Sequence, residues 1–324
     1  MIKKSKDIQE QLNFLRENVN ARGQFTGFRG LDNVYTVKYG SYTCILAAPH
    51  HGKSEFAFEI ALNQAKKYGI KSTICSPETG SVADVYGELV HKLTGKRVTK
   101  GLYNSIEDRE YYNAVNYIDE MFNIVDCDEK SHSFEDLFSF VGKDDKLIIG
   151  DPWNEFKHDM SGYGTRQDLY IEDLIGDTRR FCKRTDRHMI ITLHPSAQKQ
   201  MYDEKTKQYY YGMPNARESA GGQALFRKAM TWINLWRPPS FLHDETGSPY
   251  QQNILLGYVE KAKPKYVSVK GFFKLYLDWK QNRYYEMVNG VPCFAFEHEK
   301  MPSTGTQQEI DLPNPNINSE PSPI

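Results

Sequence analysis

The sequence uses little cysteine and places it loosely. Five cysteines among 324 residues, at positions 44, 75, 127, 182 and 293, give an odd count, and no two fall in C-x-x-C spacing. That argues against a disulfide-framed scaffold and a cysteine-ligated zinc site, and it fits a reducing cytosol. No apolar run is long enough to span a bilayer. The basic start, MIKKSKDIQEQ, lacks the apolar stretch of a secretory signal. The expected setting is therefore the cytoplasm, with no membrane partner. Net charge is also small: the formal value is −1, so any nucleic-acid site must be built from local basic patches. No internal repeat is present. With 39% hydrophobic and 26% charged residues, a packed core is expected and global disorder is not.

What the chain has is pattern. Over residues 1–22, Ile8, Leu12, Leu15 and Val19 fall at helical spacing among charged residues, which predicts one amphipathic helix ending at Arg22-Gly23. A lone helix cannot bury its own stripe, so it docks either on its own domain or on a neighbouring subunit. Residues 23–297 then alternate short β-type runs (Tyr42–Ala48, Ser72–Ser76, Asn123–Val125, Lys146–Ile149, Met189–Leu193) with helical stretches (Lys53–Tyr68, Val82–Leu93, Asp108–Met121, Leu169–Arg184). Such alternation predicts an α/β fold with a mostly parallel sheet flanked by helices. From Thr231–Trp236 onward the runs follow one another as strands (Asn253–Glu260, Phe272–Trp279, Tyr284–Met287), predicting an antiparallel extension on one edge. Residues 298–324, rich in Pro, Ser, Asn, Gln and Glu, are expected to be a disordered tail.

Four local signals carry chemistry. Ala47-Ala48-Pro49-His50-His51-Gly52-Lys53-Ser54 has Walker A spacing, with Ala at the first glycine position, and it sits between an apolar strand and an amphipathic helix. In such a loop the backbone N–H groups wrap phosphates at a helix N-terminus. Lys53 would reach the β- and γ-phosphates and the Ser54 hydroxyl would hold Mg²⁺; Ala48, Pro49, His50, His51, Gly52 and Glu55 complete the nucleotide-binding set. Leu147-Ile148-Ile149-Gly150-Asp151 places an acid at a strand tip, suited to hold Mg²⁺ through water. Glu78, in Ser76-Pro77-Glu78, is a candidate general base toward water attacking the γ-phosphate. His194, at the tip of Ile190–Leu193, is placed to sense that phosphate. ATP and Mg²⁺ are the cofactors these residues call for.

Taken together, residues 8 to 287 resemble the hexameric replicative helicases of the DnaB and Twinkle type, which have a RecA-like P-loop NTPase core. Phe25-Thr26-Gly27-Phe28-Arg29-Gly30-Leu31-Asp32 is similar to the family's T-G-[FI]-x-x-L-D entry. Ser76-Pro77-Glu78 is similar to its S-x-E, which implies that Glu78 is the catalytic base. Asp151-Pro152-Trp153-Asn154-Glu155 and His194-Pro195 resemble the Twinkle-like D-P-[YW]-N-E and A-H-P segments. Ala220–Ala229 resembles G-S-A-x-F-x-x-K-A-D, with Met230 where an acid is common. Lys261-Ala262-Lys263 falls where the family has K-x-R, which implies that Lys261 and Lys263 reach a neighbour's γ-phosphate. Lys263 lacks the planar fork of the expected arginine.

The resemblance implies a ring of six subunits translocating on single-stranded DNA, with a primase or helicase loader as further partners. DNA would touch two loops: residues 155–166, with Lys157 and Arg166, and residues 197–217, with Lys199, Lys205, Lys207, Arg217 and Tyr209 to Tyr211. No domain precedes the first helix in this sequence, which suggests a compact motor of a kind encoded by phages, acting then in the host cytoplasm. A RecA-like recombination ATPase and a degenerate nucleotide-binding regulator share parts of the same motif set.

Overall fold

The computed structural model describes residues 2–127 and 129–300. The single helix expected over residues 1–22 is broken. A nine-residue helix, α1 (Gln9–Glu17), lies between 3-10 turns at Ser5–Asp7 and Val19–Arg22. Ile8 and Asn18 leave helical geometry at its two ends, and α1 buries no residue, so burial does not stabilise a longer helix. Leu12, Phe14 and Leu15 remain exposed.

The packed region opens with a turn and helix α2 (Arg29–Asp32). Asp32 accepts from the Thr26 and Gly27 N–H groups at 2.6 and 3.1 Å. Burial pushes its carboxyl up to about 7 in spite of those bonds. There follow β1 (Ser41–Leu46), α3 (Lys53–Tyr68), β2 (Ser72–Cys75), α4 (Val82–Thr94), α5 (Asp108–Met121), β3 (Phe122–Ile124), α6 (Leu137–Phe140), β4 (Leu147–Gly150), α7 (Gln167–Thr185) and β5 (His188–Leu193). The strands pair parallel in the order β1-β5-β4-β2-β3. Their faces are both covered. On β1, Ile45 enters the apolar cluster under α3, α4 and α5, while Tyr42, Cys44 and Leu46 enter the cluster under α7. All four are fully buried, and a side chain of this size contributes about 1.5–3 kcal/mol by leaving water.

After β5 the chain makes a separate hairpin, β6 (Gln200–Asp203) and β7 (Gln208–Tyr211), then α8 (Gly222–Lys228) and five strands: β8 (Thr231–Trp236), β9 (Ile254–Ala262), β10 (Gly271–Asp278), β11 (Arg283–Val288) and β12 (Val291–Phe294). The antiparallel edge is present, but it begins one strand later than the sequence suggests. β8 lies parallel to β1, because the crossover through α8 returns the chain in the same direction; the turn-linked strands β9 to β12 are antiparallel.

Two sets of long-range contacts tie α3 and the entry turn to β11. Glu59 on α3 is fully buried with Lys92 of α4 at 3.8 Å and Arg283 of β11 at 3.2 Å, so three charges join the loop helix to its neighbours. Glu286 of β11 accepts from the Arg29 and Gly30 N–H groups at 2.5 and 2.9 Å. Beside it, the Phe296 N–H donates to the Gly27 carbonyl at 2.8 Å, joining the start and finish of the packed region. The segment expected as a tail lies, over residues 301–324, outside the described residues; Glu297–Lys300 form a 3-10 turn, and Glu299 pairs with Lys67.

Candidate active site and nucleic-acid interface

β1 runs into a turn that only an unusual backbone can make. His50 and Gly52 take φ values of 62° and 82°, both left-handed. At Gly52 the need for glycine is also steric, since a Cβ would lie 2.5 Å from the Tyr284 hydroxyl and 2.7 Å from the Arg237 guanidinium. The turn delivers the chain to α3, whose first N–H groups have no side-chain cap. Uncapped N–H groups at the positive end of a 16-residue helix form a ready anion site. A cavity of about 240 Å³ opens there, lined in part by His50, Gly52, Lys53, Ser54, Glu55 and Glu78. Ala48 is buried behind the turn, and Pro49 and His50 are exposed on it.

Three sequence-predicted residues meet at one atom. Lys53 Nζ donates to Glu78 Oε2 at 2.9 Å, and His194 Nε2 lies 3.0 Å from the same oxygen. They come from α3, the turn after β2 and the tip of β5, so strands of one parallel sheet, with β4 between β2 and β5, do the positioning. Partial burial works to raise the Glu78 carboxyl, but the bonds from Lys53 and His194 outweigh it and hold it below the ordinary glutamate range. Glu78 is therefore a carboxylate, the form a base needs. Asn154 accepts from the His194 backbone N–H at 3.0 Å, which gives the D-P-W-N-E segment a positioning role.

Asp151 sits one layer deeper, fully buried. Ser76 Oγ donates to its Oδ2 at 2.7 Å, and Thr192 donates to its Oδ1. Among the described residues no group of three or more His, Cys, Asp or Glu side chains forms a metal cage.

Sequence reasoning missed Arg237 and Tyr284. Arg237 donates to the Tyr284 hydroxyl at 3.0 Å, and its guanidinium stands 5.4 Å from the centre of the Trp279 ring. Its backbone N–H reaches His51 Nδ1 at 3.4 Å, and burial, then Arg237 and His50, press the His51 ring down to about 4, so it is neutral at pH 7. These groups come from β10, β11 and the end of β8, and no local motif marks them.

The two lysines expected to act in trans stand apart from this cluster and differ from each other in their surroundings. Lys261 turns inward to the Phe226 and Arg227 carbonyls at the end of α8. Burial first, and Lys263 second, push its ammonium down to about 8. Lys263 instead lines a cavity of about 630 Å³ with Lys38, Arg179, Lys183, Arg227, Lys228 and Lys265. Glu172 pairs there with Arg227 and Lys228 at 3.2 and 3.6 Å.

Of the expected DNA contacts, Lys157, Lys199, Lys205, Lys207 and Arg217 are exposed. Arg166 is engaged in a two-bond pair with Asp168, both at 2.9 Å. Residues 197–217, expected as a loop, hold the β6–β7 hairpin. Among the described residues no helix is long and apolar enough to cross a membrane.

No family model matches the chain. Over 239 residues it is 26% identical to the Twinkle homolog protein, chloroplastic/mitochondrial, of Arabidopsis thaliana, which spans 70% of this chain and 32% of that protein. The chain thus covers about a third of the relative's length. In fold it is similar to the ATPase domain of G40P, with a TM-score of 0.65 and 16% identity, over 86% of this chain and 97% of that one. A DnaB-like replicative helicase, solved with its interactions with primase, superposes with a TM-score of 0.62 and 17% identity, over 86% of this chain and 66% of that one. The fold is therefore the RecA-like ATPase fold of DnaB-like helicases, and the sequence is Twinkle-like.

Proposed function

We propose that this chain is an ATP-driven replicative DNA helicase that works as a ring, six-membered by expectation, and translocates on single-stranded DNA. The observation that carries the reading is the convergence of Lys53 and His194 on one oxygen of Glu78 beside an uncapped phosphate loop, in a chain with Twinkle-like sequence. Glu78 holds the Lys53 ammonium. Entering β- and γ-phosphates compete for that ammonium, and release of Lys53 leaves Glu78 free to take a proton from attacking water. His194, fixed through Asn154, then reports the γ-phosphate to the chain that follows it.

Mg²⁺ fits the residues present. Ser54 and Asp151 offer only oxygen, the donor Mg²⁺ prefers, and the hydroxyl-held Asp151 suits contact through water. When bound, the ion would neutralise charge on the phosphates. Lys263 and its cationic neighbours are proposed to face the nucleotide of the next subunit, with Lys261 bracing the strand beneath. Residues 23–297 are the proposed motor core and residues 1–22 a linker whose exposed Leu12, Phe14 and Leu15 dock on that neighbour. A primase or a loader is the proposed further partner, the cytoplasm the proposed setting, and a phage the proposed source.

The test is ATP turnover with and without single-stranded DNA, in wild type and Lys53→Ala. Stimulation by DNA that disappears in the variant, followed by unwinding of a forked duplex, is the expected result. Turnover indifferent to DNA would reject the helicase reading and leave an ATPase with another effector.

A further inference from the structure

The β6–β7 hairpin sorts its side chains by face. Its register pairs Gln200 with Tyr211, Met201 with Tyr210 and Tyr202 with Tyr209. Cross-strand partners share a face and neighbours along a strand do not. Tyr210 turns toward the body of the protein, 6.3 Å from Phe241 and 6.5 Å from Trp236 between ring centres, and the Trp236 indole N–H donates to the Tyr211 carbonyl at 2.9 Å. One face therefore anchors the hairpin. The other carries Tyr202, Tyr209 and Tyr211, which are 43%, 65% and 49% exposed. Tyr202 and Tyr209 stand 4.9 Å apart at an angle of 52°.

We propose that this outward face is a stacking platform for the bases of single-stranded nucleic acid. The inference rests on the helicase reading and adds to it the chemistry of the track contact: bases as well as phosphates. Three aromatic rings left in water, when the inner face already supplies the docking, call for a partner with flat apolar surfaces. Charge selects which partner. Lys199, Lys205 and Lys207 are exposed around the same hairpin. In the turn, Asp203 is occupied by the Thr206 N–H and hydroxyl at 2.7 and 2.5 Å, and Glu204 is the one exposed acid among residues 199–211. Rings and ammonium groups interleaved on one small element match a strand that presents bases and phosphates in alternation. Tyr209 and Tyr211 are separated by roughly 6.6 Å of strand, about twice the 3.4 Å base spacing along one DNA strand. The two rings are thus spaced to meet every second base of a strand that keeps this helical rise. The hairpin is also tied to the catalytic end. The Ala220 N–H donates to the His194 carbonyl at 3.0 Å and the Ser196 N–H to the Glu218 carbonyl at 2.7 Å, so its base is laced to the tip of β5.

The experiment compares binding of labelled oligo-thymidine with binding of an abasic oligonucleotide of the same length, by fluorescence anisotropy, on the full chain with a non-hydrolysable ATP analogue. Wild type should bind the thymidine strand more tightly. Tyr209→Ala should weaken that binding by about 5- to 150-fold and leave abasic binding unchanged, while Tyr209→Phe keeps both. Equal losses on the two strands, or none on either, would overturn the proposal and leave the helicase reading standing. Failure of wild type to bind either strand would overturn both. A measurement free of any variant guards against misfolding: bromodeoxyuridine strands cross-linked by light to the unaltered protein should mark peptides within residues 200–211, and marks confined elsewhere would reject the platform.

Discussion

The phosphate end of the sheet and the basic cavity near the end of β9 both concentrate charge, but they balance it differently. At the phosphate end the cation has its anion within the chain: Lys53 rests on Glu78, and His194 closes on the same oxygen. In the cavity, seven lysines and arginines line the wall and Glu172 answers two of them. Like charges gathered without acids raise one another's energy and are relieved by an incoming anion. On the proposed function, the first region releases its cation when phosphate arrives and the second receives an anion from a neighbouring subunit, the division expected of a catalytic site shared between subunits.

The largest break in that comparison is Glu78→Gln. Removing the carboxylate should lower turnover by roughly 10²- to 10⁴-fold, while ATP affinity holds or rises because Lys53 loses its internal rival. Equilibrium binding of a fluorescent ATP analogue beside steady-state turnover checks the split. Next is Glu59→Leu, which removes the anion from the most deeply buried version of the closed arrangement. With Lys92 and Arg283 left in the interior, stability should fall by about 3–5 kcal/mol, read from urea unfolding. Third, Lys263→Ala should leave ATP binding intact yet lower turnover, and Lys263→Arg should raise turnover above wild type by supplying the planar fork. A binding defect equal to the turnover defect in Lys263→Ala would erase the proposed division of roles.

The smallest effect tests a neutral site by contrast. His188 is fully buried, with Nδ1 2.7 Å from the Lys38 carbonyl and Nε2 3.1 Å from Thr43 Oγ1. Burial presses its ring from 6.5 down to about 4. Between those values the unfolded chain binds a proton that folded His188 refuses, so the His188 contribution to stability falls as pH drops through that window and is flat above it; His51 adds a parallel loss and Asp32 an opposing one. The His188 loss approaches roughly 3 kcal/mol, and the difference in stability between wild type and His188→Gln should change by that amount in thermal melts taken from pH 7 to pH 4.

Much of this was legible in the chain. Helix Asp108–Met121 and strand Thr231–Trp236 end where the pattern predicts, because periodicity and flanking polar residues are local signals. Lys53, Glu78 and His194 were assigned from motifs and the structure brings them together. The direction of β8 was not legible, since it depends on how α8 crosses the sheet. Arg237 and Tyr284 reach the phosphate loop from positions 186 and 232 residues distant from their partners there, and no short motif spans that distance. The sequence pattern reads the hairpin as loop because its strands, Q-M-Y-D and Q-Y-Y-Y, lack alternating aliphatics and lysines flank them; the signal available is the D-E-K-T-K turn between two tyrosine-bearing segments.

The bond between Gly27 and Phe296 has a consequence for connectivity. The first and last parts of the packed region touch, and Glu286 clasps the entry turn beside them. Covalent order and shape are therefore separable in this fold. A circular permutant that links residue 300 back to residue 22 through a short flexible peptide, with new ends cut at the exposed Glu245–Gly247 turn, keeps the sheet order and the phosphate loop unbroken. Retained ATP binding in such a rearranged chain would show that the order of the elements along the chain is dispensable for the nucleotide site.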